Sequence, residues 1–400
     1  MFRTEKVFVS QLLGPTLLEY LPDLEKAVGE LVNTWHPDDP QYRADIYRQT
    51  LCSLSYSYFA YFHADPEHPD WAPLWNPVFT LQPNPDDIYL YAPIRGDLIY
   101  RVSGNRGSVK LMTFTARKGL VGLIDDLSEQ KYARDLDQRD LSIAPDGSFE
   151  VIFSQKRPEG HMGDWIEIHP DVDIMLVRYR SYDWENEIDP RISIECLDKV
   201  PLKPKLDVGQ VVERIRLMAS FPARYAKVFM RMQNDIKASV GVNNFQPAKY
   251  QGSLSRQLYL PAVFQFDEDE ALILETDLPE VREYWNFQLN DPYFNAIEYV
   301  YRMSHTNGHL AKVGSDGRFY AVISLQDPGT PNWLDPAGFT EGTIYGRWYD
   351  CNSHPTPTLK RVKFADIRKH LPKDTPVVTP EERASELSAR IRAAQRRRRW

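Results

Sequence analysis

Asp183, Glu185 and Glu187 alternate in Tyr182-Asp-Trp-Glu-Asn-Glu187, with Asp189-Pro190 directly after. In an extended chain alternate side chains project to one side, so the three carboxylates would crowd one face. Buried together, they raise one another's pKa, which keeps a carboxylic acid protonated for general-acid work near neutral pH. Arg178, Arg180 and Arg191 on neighbouring predicted strands offer the alternative of structural ion pairs. A second group is His161-Met-Gly-Asp-Trp-Ile-Glu-Ile-His169, where a strand would put Trp165, Glu167 and His169 on one face and His161 in the preceding loop. The spacing matches no common zinc motif, so a strand with its polar face to water is the plainer reading and no metal is assigned. A third is Asn332-Trp-Leu-Asp335 in a Gly- and Pro-rich loop. Such a loop can stack an apolar ligand face on Trp333 and hydrogen-bond its edge through Asn332 and Asp335. Alternatively, Asp327 and Asp335 cap turns while Trp333 plugs the end of a sandwich. His305 and His309 lie four apart, but Asn307-Gly308 reads as a turn, so His305 stands alone as an acid–base candidate.

The elements that must position these groups are mostly short strands. Runs at Ile88 to Tyr91, Leu98 to Val102, Val109 to Thr115, Ser148 to Ser154, Trp165 to His169, Ile174 to Arg180 and Arg191 to Leu197 are bounded by Gly, Pro, Asn or Asp. They lie too close together for crossover helices, which favours an antiparallel sandwich or jelly roll over a parallel sheet. Strand texture returns at Leu258 to Phe266, Ala271 to Thr276, Arg318 to Leu325 and Thr343 to Trp348. Helical periods occupy the N-terminus (Leu24, Val28, Leu31, Trp35; then Tyr47, Leu51, Leu54, Tyr58, Tyr61) and residues 207–236. Pro22 fits a first turn, Pro37 and Pro40 are expected to close the first helix, and Pro222 to kink or split the later one. The proline-broken stretch from Asp65 to Pro77 is expected to be irregular.

The chain therefore reads as mainly β with flanking helices, an α+β jelly-roll-like architecture. Its expected regions are a helical N-terminus (1–70), a first β-rich region (71–205), a helical connector (206–248), a second β-rich region (249–366) and a helical basic tail (367–400). The order is compatible with two sandwich halves, although the halves show no convincing self-similarity. The tail runs from Glu381, Glu382 and Glu386 to Arg396–Arg399, an order that favours a helix by its dipole and leaves a solvated end or a partner contact open.

Composition narrows the class. The 400 residues are 42% hydrophobic and 26% charged, with 30 Pro, 9 Trp, 22 Tyr and 18 Phe, as suits a β-rich globular chain. A net charge of −8 gives no global case for nucleic-acid binding. Cys52, Cys196 and Cys351 are too few and too scattered for a disulfide framework, and no apolar run is long enough to span a membrane. A cytoplasmic protein is expected. Gly104, Gly107 and Gly119 form no phosphate-binding motif, and no Gly-x-Ser-x-Gly elbow occurs.

Between Tyr284 and Trp348 the chain reads Tyr-Trp-Asn-Phe-Gln-Leu-Asn-Asp, then Asn-Gly-His, Asp-Gly-Arg, Asp327-Pro-Gly-Thr-Pro-Asn-Trp-Leu-Asp335 and Gly-Arg-Trp. This resembles the family named domain of unknown function 1214. Asn84-Pro-Asp-Asp-Ile-Tyr89, Tyr100-Arg101 and Gly104-Asn-Arg-Gly107 resemble its companion, domain of unknown function 1254. The resemblance implies a β-rich, sandwich-like fold flanked by helices and carries no settled activity. It also implies that Trp285, Gln288, Glu298, Arg302 and Arg347 join the Asn332–Asp335 region, and His305 stands where relatives tend to have a small or apolar residue.

Taken together, these residues favour a cofactor-free enzyme of hydrolase or lyase type acting on a small organic ligand, a glycoside or a polycyclic or aromatic compound. Asp335, His305, Asp183 and Glu185 would supply acid–base chemistry. Trp333, Asn332, Arg347, Arg302, Trp285, Trp184 and Trp165 would bind the substrate. One alternative is a non-catalytic binding sandwich with Trp165, Trp184 and Trp333 as stacking platforms. Another is a structural protein that assembles through its N-terminal helices and tail. The expected partners are a small molecule and further copies of the chain, with no nucleic acid and no membrane.

Overall fold

The computed structural model describes residues 22–32, 39–124, 126–250 and 253–397. Its α-helices are α1 (Pro22–Val32), α2 (Pro40–Tyr58), α3 (Val208–Val240) and α4 (Pro380–Arg396). The first half carries β1 (Ala72–Leu74), β2 (Asp87–Pro93), β3 (Tyr100–Asn105), β4 (Leu111–Lys118), β5 (Lys131–Asp137), β6 (Ser148–Ser154), β7 (Asp164–Glu167), β8 (Ile174–Arg180) and β9 (Arg191–Cys196). The second carries β10 (Gln257–Gln265), β11 (Glu270–Thr276), β12 (Arg282–Asn290), β13 (His305–Asn307), β14 (Phe319–Ile323), β15 (Trp333–Leu334), β16 (Glu341–Cys351) and β17 (Thr358–Lys363).

These strands build two sandwiches. Sheets β1-β2-β8-β4-β5 and β7-β6-β3-β9 enclose one core, with Phe114, Val151, Phe153, Met175 and Val177 at its centre. Sheets β10-β16-β12-β13 and β15-β14-β11-β17 enclose another around Phe264, Trp285, Phe287, Phe319 and Trp348. Setting β1 aside, the connectivity is the same twice: β2-β8-β4-β5 corresponds to β10-β16-β12-β13, and β7-β6-β3-β9 to β15-β14-β11-β17. Even the parallel pairs coincide, β6 with β7 and β14 with β15. The sandwich expectation holds, and the duplication is one of topology.

The sheets containing β8 and β16 face each other, so their strands are buried on both sides. That is why Ile174–Arg180 is buried at every position although it carries two arginines. Odd-numbered β8 residues enter the first core, while Leu176, Arg178 and Arg180 point toward the other half. The Arg180 guanidinium lies 4.0 Å over the Tyr284 ring, and its Nη2 donates to Gln257 at 3.0 Å, tying β8 to β12 and β10. A third apolar cluster joins Tyr56 of α2 and Phe221 and Tyr225 of α3 to Leu176, Val263 and Tyr345. The helices thus clamp one side of the junction between the halves.

Four local expectations are corrected. Pro40 opens α2 rather than closing the preceding helix: Asp39 caps Gln41 and Tyr42, and proline at a first turn sacrifices no intrahelical bond. Helix α3 runs through Pro222 unbroken, since the capping box of Asp207 and Gln210 starts it and both flanks of the proline pack inward, Phe221 and Tyr225 against Tyr56. The 65–77 stretch contains β1, paired with β2. The tail is not a solvated end: α4 buries Arg390, Ala393 and Ala394 against its own chain. Trp35, Pro37 and Arg398–Arg399 lie outside the described residues.

Candidate functional site

Asp86, just before β2, is wholly buried and accepts four side-chain hydrogen bonds. Trp184 Nε1 (2.8 Å) and Asn307 Nδ2 (2.7 Å) reach Oδ1; the Tyr284 hydroxyl (2.6 Å) and His305 Nε2 (3.0 Å) reach Oδ2. Burial alone would raise this carboxyl, but the adjacent His305 and the other donors outweigh it and hold it at about 2. His305, in β13, has both ring nitrogens engaged. Arg390 Nη2 lies 3.0 Å from Nδ1, and arginine only donates, so Nδ1 is the acceptor and Nε2 carries the proton given to Asp86. Burial pushes the imidazole pKa down, against the pull of Asp86, so His305 is neutral at pH 7. Trp184 stacks on the His305 ring at 5.4 Å with the planes 5° apart, and the Arg390 guanidinium lies 4.7 Å from Trp184.

Beside this hub a cleft of about 350 Å³ opens along α4, and it gathers six residues expected from the sequence: Asp183, Trp184, Glu185, His305, Asn332 and Trp333. Their polar atoms are largely taken up by the fold. Residues 182–187 form a turn, not an extended strand. Asp183 caps it, accepting from the Glu185 and Asn186 amides and from Asn186 Nδ2 at 2.7 Å. Partial burial works against that carboxyl, yet these donors hold it below the usual range. Glu187 accepts the Lys110, Tyr182 and Asp183 amides. Asn332 clamps Lys312 and Tyr320, and Trp333 Nε1 donates to the Ser324 carbonyl.

The remaining expected residues lie elsewhere. Asp335 caps the Ala337 amide and pairs with Arg302 at 2.7 Å. Trp285 is a core side chain, 2% exposed. Trp165, on β7, donates to Ser154 on the outer sheet. His161 contacts the Asp164 carbonyl and His169 stacks on Tyr132, and among the described residues no three metal-ligating side chains converge. Arg347, on β16, points into a different cavity.

That cavity, about 390 Å³, lies at the junction of the two sandwiches and α3. Trp75, Tyr89, Tyr250 and Tyr259 supply aromatic walls, and Arg117, Arg178 and Arg347 supply three guanidinium groups. Arg117 and Arg178 come from β4 and β8, on the face opposite the first core. Burial, and next the charge of Arg178, lower Arg117 to about 10, so it remains cationic at neutral pH. Of these lining residues the sequence singled out Arg347 as a binding group, and Arg178 only as a structural ion-pair partner. The turn-capping alternative for Asp327 and Asp335 matches the structure, where they accept the Gly329 and Ala337 amides, whereas the capping role of Asp183 was not read from the sequence.

Residues 121–184 match the family model described as "Protein of unknown function (DUF1214)". The match falls on β5 to β8 and the turn after them, in the first sandwich, and not on the Asp327–Asp335 string that suggested the family. A crystal structure of an uncharacterised protein from Burkholderia cenocepacia is similar over 87% of this chain and 96% of that one, with 27% identity and a TM-score of 0.80. A Vibrio parahaemolyticus protein aligns over 85% of this chain and 100% of that one at 12% identity, with a TM-score of 0.47. No curated protein matches. Among the described residues no helix is long and apolar enough to cross a membrane.

Proposed function

We propose that the protein binds a small organic molecule in the cavity between its two sandwiches. The carrying observation is the convergence of Tyr89 and Tyr259, from corresponding strands of the two halves, on one cavity of about 390 Å³. That volume suits a small ligand, and the junction of two structural units is a common place for one. The binding reading is favoured over acid–base turnover because Asp183, His305 and Asp335 spend their polar atoms on turns, on the hub and on Arg302.

Native mass spectrometry of protein purified gently from its host, before and after denaturation, tests this. A co-purifying mass released on denaturation, depleted in Tyr259→Ala and retained in Trp333→Ala, is the expected result. A ligand retained by Tyr259→Ala but lost from Trp333→Ala would move the site to the cleft beside α4. A clean apo mass, with no stabilisation by any member of a small-molecule library, would overturn the reading.

A further inference from the structure

The duplicated topology places one pair of residues twice. Counting from the start of β2, the third cross-strand pair with β8 is Tyr89–Arg178. Counting from the start of β10, the third pair with β16 is Tyr259–Arg347. The two pairs occupy corresponding positions in the two halves, and all four residues line the cavity. Each guanidinium sits near the ring of its own tyrosine, 5.9 Å from Tyr89 and 5.7 Å from Tyr259.

Both arginines are more than nine-tenths buried, at 7% and 3% exposure. Neither forms an ion pair among the described residues. Arg347 reaches neutral acceptors: Gln288 Oε1 at 2.7 Å, Asn286 Oδ1 at 3.4 Å and Gln82 oxygens at 3.5 Å. Among the described residues the buried Nη1 of Arg178 has no hydrogen-bond partner. Two residues along the same face of β8, Arg180 is neutralised by Asp87 through Nε at 2.5 Å and Nη2 at 2.8 Å. A buried guanidinium without a counter-charge is strongly unfavourable, and this sheet satisfies that requirement at Arg180 but not at Arg178. The anion that Arg178 and Arg347 lack is therefore expected to arrive with the ligand. Guanidinium forks match the plane of a carboxylate, and the walls of Trp75, Tyr89 and Tyr259 suit a flat body between two such heads.

Resting on the binding reading above, we propose that the ligand is a planar organic diacid, one carboxylate on Arg178 beside Tyr89 and the other on Arg347 beside Tyr259. Arg117 adds positive charge at the Arg178 end. The pseudo-symmetry of the cavity accounts for an acid at each end of the ligand rather than at one.

Calorimetric titration of the full chain tests the chemistry with a matched set of probes: naphthalene-2,6-dicarboxylate, 2-naphthoate, the neutral naphthalene diamide and naphthyl phosphate. The diacid is expected to bind at least about tenfold tighter than the mono-acid, a charged hydrogen bond being worth that much or more. Arg178→Met and Arg347→Met should each lower diacid affinity about tenfold to a hundredfold, toward that of the mono-acid. Arg178→Lys, keeping the charge without the fork, should fall between. Exposed Arg134→Met should change nothing. A second readout needs no ligand: Arg178→Met should leave the urea midpoint of the free protein unchanged or raised, because it removes an unpaired charge, whereas loss of a structural arginine would lower it.

Equal affinity for diacid and mono-acid, indifferent to Arg347→Met, would overturn the two-headed ligand while leaving the pocket intact. Tightest binding of the diamide would overturn the anion, and tightest binding of naphthyl phosphate would replace the diacid by a single phosphate head. No binding of any probe, with the native ligand untouched by Tyr259→Ala, would bring down the pocket and this inference together.

Discussion

Asp291 is the most informative buried acid for a stability experiment. It follows β12 in a loop whose Phe294 carbonyl accepts the Gln82 amide and whose Ala296 amide donates to Phe79, so it braces the segment that brings Gln82 to the cavity. Burial pushes its carboxyl from 3.8 up to about 6, even though the amides of Tyr293 and Asn295 donate to it. The native state then binds a proton more tightly than the unfolded chain. Between pH 3.8 and about 6 the folded protein holds more protons, so stability falls as pH rises through that window. The difference in midpoint corresponds to about 3 kcal/mol lost on the alkaline side. Among the described residues Asn295 Oδ1 has no hydrogen-bond partner, and turning that amide over would let it accept from an amide at position 291. Asp291→Asn is therefore expected to be about as stable as the wild type at pH 4 and more stable at pH 7.5, by up to about 3 kcal/mol. Urea unfolding at half-unit pH steps measures this directly. A difference constant from pH 4 to 8, or a variant weaker at pH 7.5, would refute the reasoning.

Asp86→Asn should act in the opposite sense. An amide presents a donor where four donors already point, so a loss of about 3–5 kcal/mol is expected in urea at pH 7. Because the Asp86 carboxyl is held at about 2, its contribution is present above pH 3.8 and disappears as pH falls toward 2, and the variant should lack that acid-side decline. A variant within 1 kcal/mol of the wild type would contradict the hub described here. Gly308→Ala would put a Cβ 1.8 Å from the Tyr182 hydroxyl and 2.5 Å from Trp285 Nε1. Overpacking of that kind is expected to cost about 1–3 kcal/mol, read as a lowered urea midpoint with an unchanged slope; a neutral result would mean the Tyr182 ring swings away freely.

Strand legibility followed chemistry rather than position. Ser148–Ser154 and Ile174–Arg180 coincide with the sequence reading because β-branched and aromatic residues sit between clear turns. Arg282–Asn290 escaped because the face it turns to the other sandwich is Tyr284, Asn286, Gln288 and Asn290, largely polar residues that look like a binding motif until the first half buries them. Lys131–Asp137 escaped because an exposed edge strand needs no apolar pattern. The cleft beside α4 was legible as a cluster, since six expected residues do meet there; that Asp183, His305, Asn332 and Trp333 spend their polar atoms on the fold was not. Asp86 stood inside a quoted motif, but its partners Trp184, Tyr284, His305 and Asn307 come from distant segments. The repeated pair left only a short trace, Ile88-Tyr-Leu against Leu258-Tyr-Leu and Arg178-Tyr against Arg347-Trp, too little for self-comparison to register.

Many proteins with two-fold pockets assemble them from two identical chains, so the pocket dissolves when the protein is dilute. Here both walls belong to one polypeptide, joined by α3 and stitched by Arg180 to Gln257. The cavity should persist at any protein concentration, and ligand occupancy should depend on the concentration of ligand alone. Covalent joining also releases the halves from identity. Arg347 has acquired neutral supports in Gln288 and Gln82, while Arg178 stands beside a second arginine. Each end of the cavity can therefore be tuned separately, a freedom that a symmetric pair of identical subunits lacks.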